Sequence, residues 1–331
     1  MKLATLARGG PDGTLAVVNP PGTRFVEASA VAPTLQAALD SWSSAEPALR
    51  QLASAFADDD VPGAEPLHDV RLAAPLPRAY AFLDGSAYPH HMSVIRQARG
   101  AAMPADFFEA PLLYQGLSDP FLGPNEDIVL PEDDRWGVDL EAEVALITTA
   151  VPLGVSKHET PSHVALVTLL NDVSLRLLIP PELARGFGFV QGKSASSMGP
   201  FAVTPDELGS AWDGHRLNGR YLVHVRGELL GELDPGRDMA FDYGDLIVHA
   251  TKSRALGAGT VIGAGALANE NGRTGSGCLA EARAREQIRD GVATTAYLRS
   301  GDTVRLEMLR PDGTSVFGAI DQALRVSRPG S

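Results

Sequence analysis

Short apolar runs alternate with turn-forming residues along most of this chain. Near the start, residues 3–7, 15–18 and 24–27 read as strands, separated by Gly-Pro-Asp-Gly and Pro-Pro-Gly turns. A helix follows, with Thr34 as its expected N-cap and Leu35, Ala38, Leu39 and Trp42 on one face. Ala74-Pro75-Leu76-Pro77 reads as a linker. It sets an expected boundary near residue 75, between a small module, 1–75, and a larger unit, 76–331. Past the boundary the pattern turns β-rich. Residues 164–170 form the continuous apolar run of a strand buried on both faces. Residues 220–232 read as a hairpin turning at Arg226-Gly227, and 303–309 with 315–320 as a second hairpin around Pro311-Asp312-Gly313. Helical periodicity marks 246–256, closed by Gly257, and 279–288. The expected class is α+β, with strands dominant.

Composition narrows the partners. The 34 glycines and 24 prolines among 331 residues favour turns over long helices. A net charge of -13 argues against nucleic acid or an anionic membrane, because phosphate binding needs a basic face. The single cysteine, Cys278, excludes an intramolecular disulfide and a thiolate zinc cage. The first residues lack the apolar core of a signal peptide, and no apolar run reaches the roughly 18 residues that span a bilayer. A cytoplasmic protein is the expectation.

Three carboxylates at alternate positions, Asp139, Glu141 and Glu143, carry the chemistry. A strand places them on one face, with Val138, Leu140, Ala142 and Val144 on the other. Two readings stand: a solvated strand face, or crowded charges held together by a hard divalent cation, magnesium or calcium. Asp172, at the end of the 164–170 run, is placed to complete such a shell, although a lone aspartate there is more often a helix N-cap than a ligand. The glycines at 257–265 do not fit a dinucleotide fingerprint, and Gly186–Ser194 has the wrong spacing for a phosphate loop. No Gly-x-Ser-x-Gly elbow is present.

Asp-x-Glu-x-Glu is followed by Asn171-Asp172-Val173-Ser174-x-Arg176 and then by Gly192-Lys193-Ser194. Together with Arg96-Gln97-Ala98-Arg99-Gly100, Tyr114 and Cys278-Leu279-Ala280-Glu281, this order resembles the fumarylacetoacetate hydrolase family over residues 72–324. The resemblance implies a mixed β-roll or barrel-like catalytic domain that pairs as a homodimer. It implies Glu141, Glu143 and Asp172 as metal ligands, Asp106 as a fourth, and Asp139 as a neighbour on the same face. The metal would be Mg2+ or Ca2+, with Mn2+ a third candidate. Arg176 and Lys193 match positions that hold substrate oxygens. Tyr114, Gly265 and Ala266 fall on the substrate side; Ala266 stands where the family usually has a threonine. Tyr88-Pro89-His90-His91 resembles the segment that supplies the catalytic histidine, which points to His91. The glutamate expected three residues later is Val94, and Glu281 is the candidate partner for a base from elsewhere, although a surface position suits it equally. The implied activity is metal-dependent hydrolysis of a carbon–carbon bond in a 1,3-diketo acid, fumarylacetoacetate or a related acylpyruvate, in aromatic-compound catabolism. A decarboxylase, hydratase or tautomerase on the same platform, and a metal-binding scaffold without catalysis, are the alternatives.

Overall fold

Two apolar runs, Ala142–Thr148 and Val164–Asn171, pair as antiparallel strands in which every residue is buried. Strands of this kind need a layer on each side. The structure, a computed structural model describing residues 1–56, 61–104, 106–133, 135–270 and 274–327, supplies both layers. On one face Val144, Leu146, Val167 and Leu169 join a core with Tyr221, Val223, Leu306 and Phe317. Those four come from a five-stranded sheet of Arg220–Val225, Glu228–Leu233, Thr303–Leu309, Ser315–Val326 and Ile128–Leu130. On the other face Ala145, Ile147, Leu166 and Leu170 pack with Leu35, Leu39 and Leu49 of the N-terminal segment.

The buried pair sits inside an 11-stranded mixed sheet. On one side the sheet continues through Ala202–Val203 into Lys2–Leu6, Thr14–Val18, Arg24–Glu27 and Glu65–Pro66. The junction is antiparallel, with Lys2 opposite Val203 and Leu3 opposite Ala202. On the other side follow Val261–Gly263, Phe82–Gly85 and Leu113–Gln115. The result is a mixed α+β fold of several sheets and few helices, as the pattern predicts. Among the described residues, no helix is long and apolar enough to cross a membrane.

Local differences from the expected elements have clear causes. Thr34 does cap a helix, its Oγ1 accepting from the Ala37 N–H, but that helix is only Leu35–Asp40. Ser41 adopts a non-helical backbone, and Trp42 opens a second helix, Trp42–Ala55, which buries Ala45 and Leu49 instead. The helix expected at 246–256 runs Tyr243–Ala250, because Asp242 and Asp245 form a capping box that starts it earlier. The final strand extends to Val326. Helix Leu279–Asp290 ends where Gly291 takes the left-handed φ of 75° that glycine favours.

Candidate active site

Strand register gathers the carboxylates. Glu143 lies opposite Leu170, and Asp172 follows the end of that strand, its N–H bonded to the Glu141 carbonyl at 3.0 Å. Across the next strand Gly263 is in register with Ala145 and with Asp84, and Asp84 is opposite Tyr114. Asp84, Glu141, Glu143 and Asp172 thus converge, each offering an oxygen within 4.8 Å of the others, and all four are buried. Gly263 leaves the space between strands open. A Cβ there would stand 2.6 Å from Asp84 Oδ1 and 2.8 Å from Glu143 Oε2.

Electrostatics divide the four. Burial alone would raise Glu141, but Lys193 and Arg176 hold it well below the ordinary carboxylate range. Lys193 donates to Glu141 Oε2 at 2.6 Å, to Ser174 Oγ at 2.7 Å and to Asp172 Oδ2. Arg176 reaches Glu141 Oε1 through Nη1 and Asp139 Oδ2 through Nε, both at 2.7 Å, and its Nη2 is buried without a partner. Burial works against both cations, yet the surrounding carboxylates raise their pKa values above the ordinary ones. Among the described residues, no cation bonds to the other two acids. Burial, then Asp172, pushes Asp84 up to about 8, while burial and Asp84 push Glu143 well above its ordinary value. Asp84 Oδ1 and Glu143 Oε1 are buried with no hydrogen-bond partner. Orphaned carboxylate oxygens around an open cradle are costly to keep in a dry site. Four hard oxygen donors at this spacing fit a divalent cation of the magnesium, manganese or calcium type.

A histidine–carboxylate pair adjoins the same cavity, with His91 in its lining. His91, on helix Pro89–Ala98, places Nδ1 3.1 Å from Glu281 Oε2. Glu281 is fully buried on helix Leu279–Asp290, and its other oxygen accepts from Arg285 at 2.7 Å. Burial opposes its charge, but His91 and Arg285 lower its pKa below the ordinary range. A carboxylate only accepts, so Nδ1 of His91 carries the hydrogen and Nε2 is left to take a proton. Asp139 fixes the helix that delivers Glu281. Its Oδ1 accepts from the Leu279 N–H at 2.8 Å and its Oδ2 from the Ala280 N–H at 2.9 Å, which satisfies two otherwise unpaired donors at the helix start.

His91, Tyr114, Glu141, Arg176, Lys193, Gly265 and Ala266 all line one cavity of about 370 Å³, together with Asp84. Tyr114 donates to Asp172 Oδ2 at 2.8 Å, and the Gly265 N–H donates to Glu143 Oε2 at 3.0 Å. Arg176 is a salt-bridge partner of the acidic strand as well as a cavity residue. Asp106, expected as a fourth ligand, is corrected: Phe107 turns inward and leaves Asp106 exposed in a surface turn, outside the cluster. The fourth carboxylate of the cluster is Asp84. Its signal was present in Phe82-Leu83-Asp84-Gly85, an apolar run ended by an acid, as at Asp172. Ser196, whose Oγ bonds to Asp172 Oδ1 at 2.6 Å, offered no such signal. Val94 is buried, and Glu281 partners His91 from another helix.

This site sits within a sequence that matches two family models. Residues 81–324 match the fumarylacetoacetate (FAA) hydrolase C-terminal model, and residues 1–78 match fumarylacetoacetase N-terminal domain 2. The chain therefore belongs to the fumarylacetoacetate hydrolase family. It is 34% identical over 106 residues to 2,4-didehydro-3-deoxy-L-rhamnonate hydrolase of Sphingomonas sp. (strain SKA58), a match covering 31% of this chain and only 36% of that relative. It is 26% identical over 250 residues to oxaloacetate tautomerase YisK of Bacillus subtilis (strain 168), covering 75% of this chain and 72% of that protein. In fold it resembles maleylpyruvate hydrolase from Sphingobium sp. SYK-6, solved with manganese (II) ion and pyruvate; the TM-score is 0.64 at 18% identity, over 98% of this chain and 99% of that one. The family's named members include hydrolases, isomerases and tautomerases.

Proposed function

We propose that this protein is a divalent-metal-dependent hydrolase of 2,4-dioxo acids, R–CO–CH2–CO–COO⁻, that works in aromatic-compound catabolism as a homodimer. The observation that carries the reading is that His91, held by the buried Glu281, lines the same cavity as Asp84 and Glu141 of the four-carboxylate cluster. Asp84, Glu141, Glu143 and Asp172 would hold the metal, which when bound acts as a Lewis acid on the 2-oxo group and neutralises the cluster. The manganese and pyruvate bound by the maleylpyruvate hydrolase support magnesium or manganese at such a cluster, and calcium suits the same donors.

The protein's own residues do the rest. Arg176 offers its unpartnered Nη2 to the substrate's carboxylate. His91 Nε2 takes a proton from water while Glu281 steadies the imidazolium that forms. The resulting hydroxide adds to the C4 carbonyl. The C3–C4 bond then breaks and its electron pair stays on C3 as the pyruvate enolate, stabilised by the positive charge of Lys193 and Arg176. Return of the proton to C3 completes the balance: one water is consumed, and pyruvate, the acid R–COO⁻ and a proton are released.

A tautomerase is the second reading, favoured by the 26% identity to oxaloacetate tautomerase over 250 residues. It needs the enolate chemistry but no attacking water. Incubating acetylpyruvate with the protein and magnesium, then assaying pyruvate with lactate dehydrogenase and NADH, separates the two. Stoichiometric pyruvate and acetate are expected. Keto–enol interconversion with no fragments would overturn hydrolysis in favour of tautomerisation.

A further inference from the structure

The cavity lining is of two kinds, separated by depth. The floor carries the charges: Asp84 and Glu141 are buried, and Arg176 and Lys193 lie down among them. Toward solvent the wall is apolar. Met92 follows His91 on its helix, Leu112 precedes the Tyr114 strand, Ile179 and Leu183 come from the short helix Ile179–Leu183, and Phe189 packs edge-on against the Tyr114 ring at 4.8 Å. Leu112 and Leu183 are 48% and 55% exposed, which marks them as the mouth. Ala266 adds only a methyl group to the wall.

Among the described residues, no lysine or arginine serves that wall, and His91 beside it is held by Glu281. Among the described residues, the only arginine or lysine lining the cavity are Arg176 and Lys193, and both are committed to carboxylates at the floor. Arg285 and the adjacent His90 bond to each other, and Arg285 also holds Glu281, outside the lining. One substrate carboxylate is thus provided for, by the free Nη2 of Arg176. A second, at the far end of the substrate, would leave water for a hydrocarbon surface with no compensating charge. An alkyl or aryl group there instead buries apolar area on both sides.

We infer that the far substituent of the substrate is uncharged and apolar, so that the natural substrate class is alkyl- or aryl-acylpyruvates and excludes dicarboxylic and polyhydroxy congeners. This rests on the proposed 2-oxo acid site, and it assigns Met92, Leu112, Ile179, Leu183 and Phe189 as the specificity wall.

Binding tests the inference without turnover. Simple 2-oxo acids in the presence of manganese are titrated calorimetrically, comparing 2-oxohexanoate with 2-oxoadipate and then a series of lengthening alkyl chains. Affinity should rise about fourfold per added methylene until the cavity is filled, and the monoacid should bind at least about tenfold tighter than the diacid of equal length. Leu183→Arg, at an exposed position that tolerates the change, should shift that ratio by about tenfold toward the diacid. Equal or tighter binding of 2-oxoadipate by the wild type, or no dependence on chain length, would overturn the assignment. Alkyl preference in binding with no hydrolysis of any acylpyruvate leaves the substrate class standing and removes the hydrolase reading. Efficient hydrolysis with a preference for fumarylpyruvate over butyrylpyruvate does the opposite.

Discussion

Gly263 contributes nothing to the candidate site except space, and that space decides its geometry. Asp84 Oδ1 and Glu143 Oε2 occupy the volume a Cβ would need, at 2.6 and 2.8 Å. Gly263→Ala should therefore push the two carboxylates apart and weaken manganese binding by about tenfold or more, with far-UV circular dichroism unchanged; unaltered affinity would detach Asp84 and Glu143 from the metal. Arg176 has the opposite role, since it neutralises Asp139 and Glu141 where water is excluded. Arg176→Met should cost about 3–5 kcal/mol in urea unfolding, the range for a broken buried ion pair. The paired charges were legible in the sequence, because Asp139, Glu141 and Glu143 alternate along one strand. Asp84 left only a weak signal, an acid closing a short apolar run. A single acid within the four-residue strand Phe82–Gly85 has no partner nearby in sequence, and only strand register brings it beside Glu143.

At the scale of elements, helix Leu279–Asp290 joins the carboxylate strand to the base. Asp139 accepts from two N–H groups at its start, and Glu281, two residues on from Leu279, reaches His91 on helix Pro89–Ala98. Asp139→Asn should loosen this link. One expected outcome is a turnover loss of about tenfold or more with manganese affinity little changed, read by kinetics beside calorimetry. The link also has a pH signature. Glu281 has a folded-state pKa below its ordinary value of 4.5, so its contribution is fully present above 4.5 and is lost as pH falls through the lower folded value. Wild type should thus exceed Glu281→Gln in urea stability at pH 7, and the gap should narrow as the pH is taken below about 4. A gap that is constant with pH would mean that the carboxylate is not held charged by His91 and Arg285. Helix Leu279–Asp290 is visible as periodicity over 279–288, but helix Pro89–Ala98 and the packing of the two are not. The sequence shows Val94 where a glutamate partner is expected and offers Glu281 as partner to a base from elsewhere; the packing of the helices puts Glu281 on His91 itself.

At the scale of the molecule, the N-terminal segment is part of the fold that carries the site. Its strands extend the central sheet through Lys2–Leu6, and Leu35, Leu39 and Leu49 cover Ala145, Ile147, Leu166 and Leu170. Those last four lie on the strands that bear Glu143 and lead to Asp172. Deleting residues 1–78 should expose that apolar face and give insoluble protein, whereas the intact chain should unfold in one calorimetric transition. Soluble, metal-binding protein lacking residues 1–78 would contradict this coupling. Strands such as Lys2–Leu6, Thr14–Val18 and Val164–Asn171 were readable from apolar runs and turns, while short ones such as Phe82–Gly85 were not. Their order was not, because neighbours such as Val261–Gly263 and Phe82–Gly85 lie far apart in the chain.

On the proposed reading, Asp84, Glu141, Glu143 and Asp172 together hold a divalent cation. Calorimetric titration of manganese into chelator-treated protein tests it most directly, with the wild type compared to Glu141→Ala and Asp172→Ala variants of native circular dichroism. About one ion per wild-type chain is expected, with no measurable binding in either variant. Full stoichiometry at wild-type affinity in both variants would contradict it.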